Sequence, residues 1–412
     1  VTSQSASHST SVFPHLIVQK YGGTSVGSPE KIRAVAARIA RTRQLGHPMV
    51  VVVSAMGHTT DELLSLAQQV SQNPPHREID MLLSTGERIS MALLSMALAD
   101  LGVPAISLTG SQSGIITDQS HRRARILEIR GDRISSGLEQ GKVVIVAGFQ
   151  GVSRDKEITT LGRGGSDTTA VAIAAAFGAS ACEIYTDVDG VYSADPRWVK
   201  EARLYADLDS RHMVELAVLG AGVLHPRSVQ LAAQHQVPLW VKNSHSEVHL
   251  GTQIQWGSTT RGVEEFSVVG VTSDSSRVEV RIELARESLL ESLWSMTQSH
   301  HWSMIGVRSW GAQVQFWIEK EFSGEWHAEL NRMASDGYLK KFEIIENCVP
   351  LSIVGSRLTQ DGRALFESVN ALRENGIEVS STLASSHSIT LGIRGSQSQE
   401  AIQVLHRLWI EQ

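Results

Sequence analysis

Met49-Val50-Val51-Val52-Val53 is a run of five apolar residues with nothing polar to turn toward water. An unbroken apolar strand needs both of its faces covered, which is the mark of a mostly parallel sheet lying between helices. Residues 103–108, Val143-Val144-Ile145-Val146, Cys182-Glu183-Ile184-Tyr185 and Pro238-Leu239-Trp240-Val241 read the same way. Helical patterns separate them. Ile32, Val35, Ala36 and Ile39 fall on one face. Thr59 and Glu62 carry a capping-box signature ahead of Leu63 and Leu64. Residues 81–101 form a longer helix, expected to break near Gly86. This alternation predicts an α/β domain, a three-layer αβα sandwich around an open sheet. Ligands then bind at the carboxyl ends of the strands.

Two glycine-rich segments emerge at such ends. Lys20-Tyr21-Gly22-Gly23-Thr24-Ser25 follows the apolar Leu16-Ile17-Val18, and Ser28-Pro29 then opens a helix as N-cap and first residue. Backbone N–H groups, a helix N-terminus and an ammonium aimed at one point form a phosphate holder. The lysine precedes the glycines, so this is not a Walker A loop. The plainer reading is a tight turn after a strand. The second segment, Leu161-Gly162-Arg163-Gly164-Gly165-Ser166-Asp167-Thr168-Thr169, feeds the alanine-rich helix of residues 170–176. Its Arg163 can fork onto a carboxylate or phosphate. Its plainer reading is capping by Ser166 or Thr168, with Asp167 at the favourable end of the helix dipole.

With 412 residues the chain has room for two or three domains. Thirty-seven basic and 43 acidic residues give a formal charge of −6 with no lysine–arginine block, so neither nucleic acid nor an anionic membrane is an expected partner. Cys182 and Cys348 stand far apart and fit a reducing, cytoplasmic setting. Residues 1–13 read as a flexible tail. A linker is expected over 254–265, ending the first domain (14–258). Beyond it, strands at 266–271, 278–282 and 313–318 surround a helix at 289–298, and a similar plan returns from residue 349 to 393. These are two small α+β modules, at 264–345 and 346–412.

The glycine loops come in a set. Lys20 to Ser25, Val53-Ser54-Ala55-Met56-Gly57, Gly86-Glu87-Arg88, Gly148-Phe149-Gln150-Gly151, residues 161–169, and the stretch from Tyr185-Thr186-Asp187 to Asp195-Pro196-Arg197 stand in the order seen in aspartate kinases. From about residue 16 to 246 the chain closely resembles a monofunctional aspartate kinase of the amino-acid kinase superfamily; beyond 262 the resemblance thins. It implies the amino-acid kinase fold followed by two ACT domains, modules that bind amino-acid effectors and form dimers or larger homo-oligomers. In this family the two can interleave, which leaves the boundary near Glu346 soft.

The implied reaction moves a phosphoryl group from ATP to the side-chain carboxylate of L-aspartate, giving 4-phospho-L-aspartate, the first step toward lysine, threonine and methionine. The acceptor is already ionised at neutral pH, so no general base is needed. The resemblance assigns Lys20 to bridge the transferring group and Asp167 as the second catalytic residue, orienting Lys20. Arg163 takes the α-carboxylate of aspartate and Glu87 its α-ammonium, with Ser54, Thr60, Gly164 and Ser166 around them. Lys20, Tyr21, Gly22, Gly23, Thr186, Asp187, Tyr192, Asp195, Pro196 and Arg197 are implied on the nucleotide side. The plainer reading of the three aspartates there is turn chemistry. Magnesium is expected to arrive on the ATP phosphates. No dedicated metal site is expected, His245 and His249 included.

Three departures from the family pattern stand out. Gly222 stands where the family commonly has a nucleotide-contacting lysine, which leaves two expectations open: weaker ATP affinity, or compensation by Lys242. Glu283-Leu284-Ala285-Arg286-Glu287 replaces an Asp-Lys-Pro-Gly turn, and residues 356–362 replace a Ser-His-Pro-Gly stretch. All nine tryptophans lie at or beyond Trp198, and Trp294, Trp302, Trp310, Trp317 and Trp326 crowd the first small module. Core filling and an interface both explain them. The expectation is that this module serves assembly more than effector sensing. The alternatives are a non-catalytic amino-acid sensor derived from such a kinase, and a kinase acting on another substrate such as glutamate.

Overall fold

The computed structural model describes residues 13–246, 248–257, 266–300 and 302–411. In chain order the first elements are β1 (Ile17–Tyr21), α1 (Pro29–Gln44), β2 (Met49–Val53), α2 (Thr59–Val70), α3 (His76–Asp100), β3 (Ala105–Leu108), β4 (Ile115–Thr117) and β5 (Ile126–Ile129). Next come α4 (Asp132–Glu139), β6 (Val143–Ala147), β7 (Gln150–Ser153), β8 (Ile158–Thr160), α5 (Gly165–Phe177), β9 (Ala181–Thr186) and β10 (Asp207–Asp209). They are followed by α6 (Ser210–Val218), α7 (Pro226–His235), β11 (Leu239–Asn243) and β12 (Thr252–Gln255).

Eight strands form one sheet in the order β10-β12-β11-β9-β1-β2-β6-β3, parallel except where β11 meets β12. The apolar run of β2 is fully buried, as a strand covered on both faces must be. Tyr21, Met49, Val51, Val53, Val143 and Ile145 pack with Ile32, Val35 and Ile39 of α1 and Leu94 and Leu98 of α3. Side chains alternate along a strand, so Val18, Lys20, Val50 and Val52 face the other layer. There α5 packs across β1, β2 and β9. Four shorter strands make a second sheet, β5-β4-β7-β8.

Several local expectations are corrected. The long helix runs unbroken from His76 to Asp100. Gly86 is there for close approach rather than a break: a Cβ on it would lie 2.8 Å from the Ala55 Cβ. The capping box does not form, because His58 is the N-cap and Thr59 is already helical, its hydroxyl donating to Met56 O at 2.7 Å. Ile254 lies buried in strand β12 rather than in a linker, and residues 258–265 fall outside the described residues. Of the 1–13 tail only Phe13 is described, its ring 6.3 Å from that of Phe177.

The later elements are β13 (Ser267–Ser273), β14 (Arg277–Leu284), α8 (Leu290–Ser299), β15 (Met304–Trp310), β16 (Gln313–Glu319), α9 (Ser323–Ser335), β17 (Leu339–Ile345), β18 (Cys348–Ser356), α10 (Arg363–Glu374), β19 (Val379–Ala384), β20 (Ser388–Arg394) and α11 (Ser398–Trp409). They build two four-stranded antiparallel sheets, β15-β16-β14-β17 and β13-β18-β20-β19. A module at 264–345 therefore does not coincide with one sheet: β13 pairs with β18, from Ser267 opposite Ser356 to Ser273 opposite Leu351. Trp302 and Trp326 stack at 4.4 Å within the core of the first sheet, and Trp317 is fully buried, so core filling accounts for these three. Trp310 on the edge strand β15 is half exposed. The chain divides into two compact units; the second takes up Tyr192–Leu204 and Arg211–Gly222 together with the C-terminal sheets.

Candidate active site

Lys20 stands one residue before the end of β1, the strand between β9 and β2. Because Tyr21 faces the α1 and α3 layer, Lys20 faces α5. Its Nζ lies 2.6 Å from Asp167 Oδ1 in the first turn of α5, both side chains about nine-tenths buried. This ion pair joins the two glycine-rich segments, 147 positions apart. Gly22 leaves room beside the ammonium: a Cβ there would come within 3.4 Å of Lys20 Nζ. The loop after β1 is pinned on both sides, Gly22 N donating to Tyr185 O at 3.4 Å and Gly57 N to Gly23 O at 3.0 Å. Ser25 is buried, its hydroxyl without a hydrogen-bond partner.

The glycines of the second loop have steric reasons. Gly164 is the N-cap of α5 at φ +64, and a Cβ on it would overlap the His225 ring at 2.1 Å. No side chain caps this helix, so neither Ser166 nor Thr168 does what the plainer reading assigned. Thr168 instead returns its hydroxyl to Gly164 O at 3.1 Å. Ser166 is buried where the chain passes Gly148: a Cβ on Gly148 would meet the Ser166 Oγ at 2.7 Å and Val52 at 2.9 Å. Arg163 is exposed at the loop's crest.

Glu87 comes in from α3. It is buried, and its Oε1 accepts from Ala55 N at 3.2 Å just beyond β2, while Oε2 has no partner. Burial pushes its carboxyl up to about 7, against the pull of the backbone donors. A half-satisfied buried carboxylate is costly unless a cation completes it. Ser54 is bound through its amide to Tyr21 O at 3.1 Å, and Thr60 is half-buried in the first turn of α2. Thus Lys20, Gly22, Gly23, Ser54, Glu87, Ser166 and Asp167 gather at the carboxyl ends of β1 and β2.

The nucleotide residues divide. Thr186 ends β9 and Asp187 follows it, with Thr186 Oγ1 donating to Asp187 Oδ1 at 3.1 Å. Tyr21 brings only backbone to the site. Its ring is fully buried on the other layer, stacked on Tyr185 at 4.7 Å, its hydroxyl donating to Gln19 Oε1, and burial raises its pKa well above the phenol range. Tyr192, Asp195, Pro196 and Arg197 belong to the second unit. Hydrogen bonds from Arg197 hold the Asp195 carboxyl below its ordinary range. That segment is tied to the C-terminal helix: Ser193 Oγ lies 2.9 Å from Nε2 of the buried His406, and Gln403 donates to Trp198 O at 2.7 Å. Lys242, the cation available in place of a lysine at 222, is committed to Glu183 at 2.5 Å.

Sequence reasoning missed Asp80 and Arg227. Asp80 is fully buried and Arg227 partly so, and both bond to backbone at the root of the Arg163 loop. A lone acid within a helix and an arginine after a proline give no local signal of this.

The model of the amino acid kinase family matches residues 15–243. Aspartokinase 2 of Bacillus subtilis (strain 168) is 42% identical over 404 residues, 95% of this chain and 97% of that protein. The aspartokinase of Mycobacterium tuberculosis (strain ATCC 25618 / H37Rv) is 53% identical over 268 residues, 65% of this chain and 63% of that protein. Among solved structures, E. coli aspartokinase III in complex with aspartate and ADP superimposes with a TM-score of 0.81 at 22% identity, over 95% of this chain and 99% of that one. The aspartate kinase from Synechocystis matches at 40% identity and a TM-score of 0.54, over 95% and 69% of the two chains. The chain belongs to the amino acid kinase family, among its aspartokinases.

Proposed function

We propose that this chain transfers the terminal phosphoryl group of ATP to the side-chain carboxylate of L-aspartate, the entry step to lysine, threonine and methionine synthesis. The observation that carries the reading is the buried Lys20–Asp167 pair at the end of the central strand. Two anions, a nucleotide phosphate and a carboxylate, must meet there, and the protein's task is to hold them and spread their charge. Lys20 bridges the moving phosphoryl group, and Asp167 fixes the ammonium so that no reorganisation is needed at the transition state. Glu87 Oε2 receives the α-ammonium of aspartate, and Arg163 forks onto the α-carboxylate. Ser54, Thr60, Gly164 and Ser166 complete the pocket. Gly22, Gly23 and the backbone of Tyr21 approach the phosphates; Thr186 and Asp187 take the nucleoside end.

Magnesium arrives with ATP, held by phosphate oxygens and water. Among the described residues no group of three His, Cys, Asp or Glu is placed to hold it. The ion neutralises phosphate charge; orienting the acceptor remains the task of Glu87 and Arg163. Among the described residues no helix is long and apolar enough to cross a membrane. The proposed reaction, drawing on ATP, places the chain in the cytoplasm.

A hydroxamate assay with ATP tests the reading. Acyl phosphate is expected from aspartate and none from glutamate. Lys20→Ala is expected to lose about 3 kcal/mol or more of barrier lowering, a hundredfold or greater fall in kcat. Turnover of glutamate, or binding of ATP without any turnover, would favour the other kinase or the sensor.

A further inference from the structure

The loop that presents Arg163 leaves β8 at Thr160 and enters α5 at Gly165. Two charged side chains grip its root, one fully buried and one partly. Asp80, fully buried on α3, accepts from Thr160 N at 3.1 Å, Thr160 Oγ1 at 2.6 Å and Arg122 N at 3.1 Å, with His121 Nδ1 at 2.7 Å. Arg227, in the first turn of α7, donates to Leu161 O at 3.0 Å and to Ala124 O at 2.9 Å. Ala124 N closes the ring by donating to Thr160 O at 2.9 Å. Thr160 and Leu161 are thus fixed through amide, hydroxyl and both carbonyls.

Asp80 also shares a helix face with Glu87. The two are seven positions apart on the unbroken α3, so they project from the same side two turns along. One rigid element therefore carries the partner for an α-ammonium and the anchor of the loop that meets an α-carboxylate. Between them Ser84 O accepts from Gln150 Nε2 at 2.8 Å, binding α3 to β7. Drawing a guanidinium partly out of water to meet two carbonyls is unfavourable, and the desolvation depresses the Arg227 pKa, with Asp118 pulling the other way. A structural turn could be closed by neutral amides. Two charges spent on the backbone of one short root buy rigidity at the place where substrate geometry is set.

We propose that Asp80 and Arg227 are positioning residues for aspartate, holding the Arg163 loop at a fixed distance from Glu87. The site thereby accepts ligands whose α-carboxylate and α-ammonium sit on one carbon. This rests on the reading that Arg163 and Glu87 take those two groups.

The test uses the full chain with Asp80→Asn, Arg227→Gln and Arg227→Lys, and three ligands. Succinate is aspartate without its ammonium; β-alanine is aspartate without its α-carboxylate. Both are measured as competitive inhibitors. In Asp80→Asn and Arg227→Gln, the KM for aspartate and the Ki for succinate are expected to rise about tenfold or more, the loss of one charged hydrogen bond. The Ki for β-alanine and the KM for ATP stay within about twofold, and Arg227→Lys recovers part of the loss. An equal weakening of all three ligands means general loosening and overturns the proposal, as does no change in any. If Asp80→Asn does not fold, the two Arg227 variants carry the test. A wild-type enzyme silent toward aspartate would instead sink the reading beneath it.

Discussion

Glu87 is where chemistry and stability pull apart. Its folded pKa of about 7 lies above the ordinary carboxylate value because it is buried. The folded chain then holds this proton more tightly than the unfolded chain. Stability falls as pH rises from about 4.5 to 7, and the deprotonated form that an ammonium needs is populated only above that range. Glu87→Gln cannot ionise. It is expected to stabilise the ligand-free protein at pH 8 by about 2 kcal/mol while raising the KM for aspartate at least about tenfold. In the wild type, kcat/KM for aspartate climbs with pH to a plateau above 7; in the variant this slope disappears. Thermal melts and a pH series of initial rates check both. A variant that is destabilised and keeps the slope would show that Glu87 is not the titrating group.

At the scale of elements, α3 is the helix that carries Glu87, the residue proposed to meet the α-ammonium, and Gly86 sets its approach to Ala55. Gly86→Ala removes a helix glycine, which alone would stabilise by about 1 kcal/mol. The added Cβ would sit 2.8 Å from that of Ala55, so α3 must retreat and take Glu87 with it. The net expectation is a destabilisation of about 1–3 kcal/mol with a raised KM for aspartate. A more stable variant with unchanged KM would contradict it. This helix also marks how far sequence reaches. β2 and β6 are legible because fully buried parallel strands leave apolar runs, and the family pattern singles out Lys20, Glu87, Arg163 and Asp167 as candidates. The unbroken α3 is not, since a glycine in a helix looks the same whether it bends the helix or admits a neighbour. Asp80 and Arg227 bond to backbone atoms 80 and 66 positions away, a pairing no local pattern records. Strand alternation sends the Tyr21 ring to the layer opposite Lys20, which leaves only its backbone for the nucleotide side.

At the scale of the whole molecule, the proposal is a homo-oligomer assembled through the small sheets, with weak or no effector response. Light scattering is expected to give at least twice the mass of one chain, and calorimetry no tight binding of lysine or threonine. A monomer, or strong binding of either amino acid, would overturn this. Trp310, half exposed on the edge strand β15, is the one tryptophan of the first sheet's strands left for such contact. Edge strands invite pairing with another chain.

The exchange of β13 into the later sheet has a consequence for synthesis. On the ribosome β13 emerges before everything from Arg277 to Ile345, yet its ladder partner β18 begins only at Cys348. The intervening strands can close into their own antiparallel sheet first, as early-emerging segments fold first. Until then β13 waits with its amides unpaired. Translation that stalls between residues 345 and 356 would release a chain with one finished small sheet and one open sticky edge.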